Sequence, residues 1–314
     1  MKEVNLLMLG GGKRVSFVKH VKREALNSGI DLKVYSYELD YSAPISAEST
    51  IIIGKRWDDL TVIEDISHYI NKLNINLILP FVDPATLIAA DLKAIFNEKV
   101  VVPVSSRDVS SIFFNKEKAS CWFNQNDIPH PKKSNTLPLI LKPIFGSASK
   151  GIVFINNESE LQLYGSLIES NDYICEQRIF GGEYTVDAYV LNRQLIYCVP
   201  RERLETSGGE SIKTITLKDP VILKSVNQIV SKCDFNGPIT LQLIKQYETG
   251  DIYFIEINPR LGGGVICSMG AGVNIPKILL DSVQGLSIEP IHDWTDRLMM
   301  SRYLSEVFIN AVDN

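Results

Sequence analysis

The sequence lacks any apolar run near the roughly 20 residues that a bilayer-spanning helix needs, so no membrane span is expected. The apolar stretch within the opening MKEVNLLMLGGG is too short for a signal peptide, and a cytoplasmic location is the resulting expectation. Cysteine is sparse. Cys121, Cys175, Cys198, Cys233 and Cys267 are scattered, odd in number and never spaced C-x-x-C, which argues against a disulfide framework or a thiolate zinc site. They are read as small core residues. Basic charge is not in excess either: 32 Lys+Arg against 37 Asp+Glu leave a net charge of -5, without the electrostatic footprint that nucleic acid requires. The four histidines, His20, His68, His130 and His292, fall outside every motif described below and are read as surface or capping residues, so nucleophilic triad chemistry is not indicated. Internal repeats and low-complexity segments are absent.

What is present is enough apolar residue, 45% of 314, to bury substantial cores in two or three compact units. In the first hundred residues, short apolar runs at 4–9, 32–35, 49–53, 77–79 and 100–102 alternate with helix-like stretches at 15–27, 60–73 and 84–96. This alternation predicts a parallel, Rossmann-like sheet covered by helices. After Pro103 the texture changes. Helices are expected near Ser105 and over 115–126, then antiparallel strands: LILKP and GIVFI around a Gly/Ser turn, and EYTVDAYVL leading into a hairpin with 194–200. A helix over 220–233 precedes the strand-like ITLQLI and IYFIEIN, and the tail from Leu298 to Ile309 reads as a strand or a short helix, with the strand preferred. The fold class is therefore mixed α/β and α+β, with units at 1–104, 105–178 and 179–314.

Several segments carry chemistry. Gly10, Gly11 and Gly12 follow a strand and precede a helix, where backbone amides meet anions, yet the spacing is that of neither a dinucleotide fingerprint nor a P-loop, so a simple turn and a substrate-binding loop both stay open. Asp83 lies beyond the carboxyl end of a strand, where open α/β sheets place ligands, and is equally a candidate helix cap. LKPIFGSASKG ends a strand on Lys142 and turns through Gly146, Ser147, Ser149 and Gly151, a set of amides, hydroxyls and one point charge able to close over phosphate oxygens. In CEQRIFGGEYTVD a strand changes direction before Glu183, offering backbone groups to an adenine edge and a carboxylate to ribose hydroxyls.

The strongest signal is Gln242 in ITLQLI, followed fourteen residues later by Glu256 and then Asn258 in FIEINPR. Alternation puts Glu256 and Asn258 on one strand face, and one carboxylate with amide oxygens suits a nucleotide-bound Mg²⁺. Arg260 shares that face if the strand continues, in position to meet a γ-phosphate. Arg201, with Arg203 beside it in VPRERLE, is a candidate clamp for a substrate carboxylate, a solvated loop being the plainer reading.

Taken together, these motifs resemble the ATP-grasp superfamily and, in detail, one synthetase half of the carbamoyl-phosphate synthase large subunit, over essentially the whole chain. The resemblance implies an ATP-grasp fold preceded by a Rossmann-like preATP-grasp domain. It implies Mg²⁺ (or Mn²⁺) on Gln242, Glu256 and Asn258, and transferred phosphate on Arg260. Lys116 in NKEKAS and Lys142 would meet phosphates, Glu176, Gln177, Arg178 and Ile179 would form the adenine hinge, and Glu183 would take the ribose. SGGESIKT is similar to a segment reading HTGDSI in the synthases, with Ser207 where they carry histidine. Because the chain supplies only one synthetase half, the implied activity is that of a stand-alone carboxylate–amine ligase using ATP, with a small carboxylate and an amine as substrates and a homodimer as a compatible assembly. A carbamoyl-phosphate-synthase-like activity requiring paired chains is one alternative. A non-catalytic ATP-binding regulator is another, and an NAD-dependent oxidoreductase reading of the Gly10 turn leaves the metal strands unexplained.

Overall fold

The computed structural model describes residues 2–146 and 150–309. Strands β1 (Lys2–Leu9), β2 (Ile30–Glu38), β3 (Thr50–Ile53) and β4 (Leu77–Pro80) form a parallel sheet in the order β3-β2-β1-β4. From Val4 onward β1 is buried on both faces, as expected for a strand sandwiched by helices. Those helices are α1 (Val15–Asn27), α2 (Val62–Lys72) and α3 (Asp83–Phe96). α1 buries Phe17, Val18, Val21 and Ala25 at helical spacing while its charged residues face outward. The order reverses between β1 and β4, so the loops after these two strands, Gly10–Gly12 and Phe81–Val82, flank a switch-point crevice. The run at 100–102, expected as a fifth strand, contributes only a single parallel bridge between Leu77 and Val101.

Helices α4 (Arg107–Phe114) and α5 (Lys116–Gln125) follow, each started by a side-chain cap, Ser106 and Asn115. A three-stranded antiparallel sheet then forms in the order β6-β5-β7, from β5 (Leu139–Pro143), β6 (Val153–Ile155) and β7 (Tyr173–Gln177), with the short helices α6 (Glu158–Leu163) and α7 (Gly165–Ile168) packed on it.

The largest sheet has six strands in the order β12-β11-β8-β9-β10-β13: β8 (Gly181–Leu191), β9 (Gln194–Ser207), β10 (Glu210–Thr216), β11 (Gly237–Gln246), β12 (Ile252–Asn258) and β13 (Met299–Ser301). Its two faces differ sharply. One buries Tyr184, Val186, Ala188, Leu241 and Leu243 against α8 (Pro220–Lys232), whose N-cap Asp219 accepts from the amides of Val221 and Ile222. The other carries Glu183, Thr185, Asp187, Arg201, Arg203, Thr240 and Gln242, the alternate residues of the same strands. Helices α9 (Val265–Gly270) and α10 (Ile275–Val283) join the sheet's far end to α1, so one hydrophobic core runs from β1 to α10.

Three expectations are corrected here. The tail forms strand only over Met299–Ser301, and residues 302–309 have no regular structure, with Tyr303, Leu304 and Phe308 exposed. Cys121 is exposed and Cys175 half-buried, so the core reading holds only for Cys198, Cys233 and Cys267. His130 is buried rather than superficial: it packs on Phe123 and its Nδ1 lies 2.7 Å from the Ile128 carbonyl.

Inside the polar face lies a fully buried ion pair. Arg201 donates from Nε and Nη2 to both oxygens of Asp187, at 2.7 and 3.1 Å, and Ser268 adds a hydrogen bond of 2.6 Å to the same carboxylate. Removing one partner strands a charge in the core, so Asp187→Ala should cost about 3–5 kcal/mol, read from the urea midpoint. Burial also holds His130 below its ordinary value. The unfolded chain therefore protonates first: stability is full above pH ~6.5 and should fall as pH drops through that value. Thermal melts from pH 7.5 to 5.5 should show a smaller acid-induced loss in His130→Phe than in the wild type.

Candidate active site

Two cavities open between the small sheet, the polar face of the large sheet and the switch-point crevice. The larger, about 620 Å³, lies between the two antiparallel sheets. Its apolar walls come from Ile140, Ile152 and Phe154 on one side and Ile244, Tyr247 and Ile255 on the other. Three lysines contribute to it. Lys116, in the first turn of α5, donates to the Gly146 carbonyl at 2.8 Å, and Lys142 and Lys150 line the same space. Gln177, Arg178, Ile179 and Glu183 also line it. Apolar walls combined with three lysines suit a nucleoside triphosphate, which has a flat apolar base and anionic phosphates.

The smaller cavity, about 200 Å³, is polar and rich in arginine: Arg14, Arg201, Arg203 and Arg260 all border it, with Phe81 and Val82 from the crevice. Gln242, Glu256 and Arg203 line both cavities. These side chains are therefore the wall through which the two spaces meet.

That wall is built by a register detail. Gln242 of β11 pairs directly with Glu256 of β12, and Thr240 with Asn258, but Leu243 pairs with Phe254, so Ile255 is an extra residue in β12. This bulge switches the alternation: Ile252 and Phe254 enter the core, and after Ile255 the polar Glu256 and Asn258 face the cavities. Bulges beside active sites re-aim side chains in this way. A Mg²⁺ ion fits the donor set, which is all oxygen and has one carboxylate, with phosphate and water to complete the shell. The amide oxygens now accept from arginines, Gln242 from Arg203 at 3.0 Å and Asn258 from Arg260 at 3.3 Å, hydrogen bonds that a cation would replace.

The glycines of the LGGG turn after Asn258 lie in close contact with neighbouring side chains. A Cβ on Gly262 would lie 2.8 Å from Thr240 Oγ1, on Gly263 2.5 Å from the Glu210 carboxylate, and on Gly264 2.5 Å from the Arg201 guanidinium.

Several expected residues stand elsewhere. Arg201, expected to clamp a substrate carboxylate, borders the small cavity with its guanidinium already committed to Asp187 and Thr214 and almost wholly buried. It is not a solvated-loop residue either. Arg203 has the reach that Arg201 lacks. Glu176, expected to offer backbone to adenine, is held in β7, paired with Ile140 on one side and bridged to Lys133 on the other, and its side chain forms a buried ion pair with Lys142. The Gln177 and Arg178 amides donate to the Lys132 and Pro138 carbonyls, so those two hinge donors are spent inside the protein. The Arg178 guanidinium stacks between Phe154 and Phe180, 4.4 and 4.6 Å from the ring centroids. Gly151 (φ 74°) does not line the cavity, and a Cβ there would lie 2.9 Å from the Pro143 ring. Ser147 and Ser149 lie outside the described residues. Asp83 is the first residue of α3 and caps nothing there: its carboxylate takes the Nε–H of Arg260, tying the crevice to the segment after β12.

Residues that the sequence did not single out are Lys150, Phe154, Phe180, Tyr247 and Arg14. Lys150 stands within the quoted Gly/Ser segment and was legible there; the aromatic and arginine contributions come from segments with no motif of their own.

Against known proteins, residues 169–304 match the family described as ATP-grasp in the biosynthetic pathway with Ter operon. The chain is 25% identical over 257 residues to the formate-dependent phosphoribosylglycinamide formyltransferase of Prochlorococcus marinus, a match covering 72% of this chain and 65% of that one. It thus spans just under two thirds of the length of this curated relative. The L-amino acid ligase of Bacillus licheniformis superposes with a TM-score of 0.70 at 18% identity, over 90% of this chain and 75% of the other. The biotin carboxylase domain of Hydrogenobacter thermophilus 2-oxoglutarate carboxylase, solved with MgADP and bicarbonate, does so at 0.72 and 17%, over 94% and 73%. The chain has the ATP-grasp fold.

If the wall between the cavities holds the ion, Glu256→Gln should lower Mg²⁺-dependent ATP affinity at least tenfold, since a charge-assisted contact is worth about 1.5–3 kcal/mol. Calorimetric titration of Mg-ATP, with circular dichroism to confirm an unchanged fold, measures this. Equal affinity in variant and wild type would remove Glu256 from the metal site.

Proposed function

We propose that the chain is an ATP-dependent ligase that activates a small carboxylate as an acyl phosphate and passes the acyl group to an amine. The observation that carries this reading is the shared wall of Gln242, Glu256 and Arg203: it lets the distal phosphate of a nucleotide in the larger cavity meet a second substrate held in the smaller, basic one.

Each step needs little covalent help from the protein. A carboxylate oxygen attacks the γ-phosphorus, the bond from that phosphorus to the β–γ bridging oxygen breaks, and ADP leaves. The amine nitrogen then attacks the acyl carbon, inorganic phosphate departs, and one proton is lost from nitrogen. In this reading Lys116 and Lys150, with Lys142 shared between Glu176 and the nucleotide, would neutralise the triphosphate, Glu183 would accept from ribose hydroxyls, and the apolar walls would enclose the base. Gln242, Glu256 and Asn258 would hold Mg²⁺, which when bound supplies charge neutralisation at the phosphates. Arg260, aimed by Asp83, faces the space where charge accumulates during transfer. The names of the similar proteins speak of formate, an L-amino acid and bicarbonate, each of which offers a carboxylate or carbonate oxygen.

The competing readings, a nucleotide-binding regulator and a carbamoyl-phosphate-synthase-like enzyme built from paired chains, differ in what they consume. ADP release should be stimulated only when a carboxylate and an amine are both present, across a panel of small acids crossed with amino acids and simple amines. Tight Mg-ATP binding without ADP release under any pairing would favour the regulator, and release requiring bicarbonate with ammonia would favour the synthase-like reading.

A further inference from the structure

The small cavity contains a carboxylate of the protein's own, held as a ligand would be. Glu210 opens β10 at the tip of the β9–β10 hairpin, after Gly208 and Gly209, both with positive φ, 54° and 77°. Its two oxygens are divided between two arginines. Oε1 accepts from Arg14 Nη2 at 2.9 Å, and Oε2 from Arg302 Nη1 at 2.8 Å. The arginines come from opposite ends of the chain, Arg14 from the loop after β1 and Arg302 from the segment after β13, where it also bonds the Gly263 carbonyl. The Glu210 carboxylate packs closely on Gly263, where a Cβ would lie 2.5 Å from it and displace it. Burial alone would raise the pKa of Glu210, yet the bond from Arg14 and the charges of Arg14 and Arg302 bring it below the ordinary carboxylate value.

A purely structural tie between chain ends has no need to lie on a cavity wall or to hang from a two-glycine hinge. Arg14 and Glu210 both line the cavity that also presents Gln242, Glu256 and Arg260. We propose that Arg14 and Arg302 form the receptor for a carboxylate on the amine substrate, and that Glu210 is a resident plug which that carboxylate displaces by swinging the hairpin tip outward. The acceptor is then an amino acid or a similar amine with a free carboxylate, bound so that its nitrogen points towards the shared wall. This rests on the ligase reading above, from which it is experimentally separable.

The first test needs no turnover. In proton–nitrogen spectra, the Arg14 and Arg302 Nε–H signals of Glu210→Gln should shift with added acetate at concentrations that leave the wild type unmoved, and Arg14→Lys in that background should weaken the response. Inorganic phosphate moving these signals while acetate does not, or neither probe moving them, would overturn the assignment whether or not the chain is a ligase. The second test is kinetic: free amino acids should support ADP release where their carboxamides do not, and Arg302→Ala should raise KM for the acid on the order of tenfold with little change in kcat. Carboxamides that serve as well as acids would refute the proposal while leaving the ligase reading intact. An altered melting temperature with unaltered KM in both the Glu210→Gln and Arg302→Ala variants would make the triad a structural latch.

Discussion

The pairing of Gln242 with Glu256 across β11 and β12 is the constraint on which the rest of the site depends. It places an amide oxygen and a carboxylate side by side on the polar face of a sheet whose other face is solid hydrocarbon. The bulge at Ile255 makes both possible, because it allows Phe254 to enter the core and Glu256 to leave it within three residues. Without it, strict alternation would put Phe254 and Glu256 on the same side, and either the core would lose an aromatic ring or the cleft would lose its carboxylate.

Around that pair the protein manages a high density of charge. Arg201 is neutralised by Asp187, Arg260 by Asp83, Lys142 by Glu176, and Arg14 and Arg302 by Glu210. These pairs are not equivalent. Arg201–Asp187 is sealed in the core and ties β8, β9 and α9 together, whereas the pairs at Asp83 and Glu210 border the cavities and join the parallel sheet to the large one. The first fixes the shape of the site, and the others hold cationic groups in position beside the space where negative charge would gather.

Elements governed by local periodicity were legible in the sequence. The helix at 15–27 was read to the residue, and FIEINPR announced a strand with Glu256 and Asn258 on one face, since alternation depends only on near neighbours. What escaped was set by partners far along the chain. Asp83 meets Arg260 across 177 positions, and Glu210 meets Arg14 across 196, with no local pattern to mark either. Arg201 and Arg203 look alike in VPRERLE, yet one is buried on Asp187 and the other reaches the cleft, a difference decided by the strands opposite them. The bulge at Ile255 was equally silent, because it exists only relative to β11.

The central claim is that one wall serves two cavities. The most direct measurement is anomalous diffraction from crystals grown with Mn²⁺ and a non-hydrolysable ATP analogue. The account predicts a manganese peak in contact with the Glu256 carboxylate, with the nucleotide base in the larger, apolar-walled cavity and its terminal phosphate facing the arginine-rich one. Manganese bound away from Glu256, or a nucleotide seated outside the larger cavity, would contradict it.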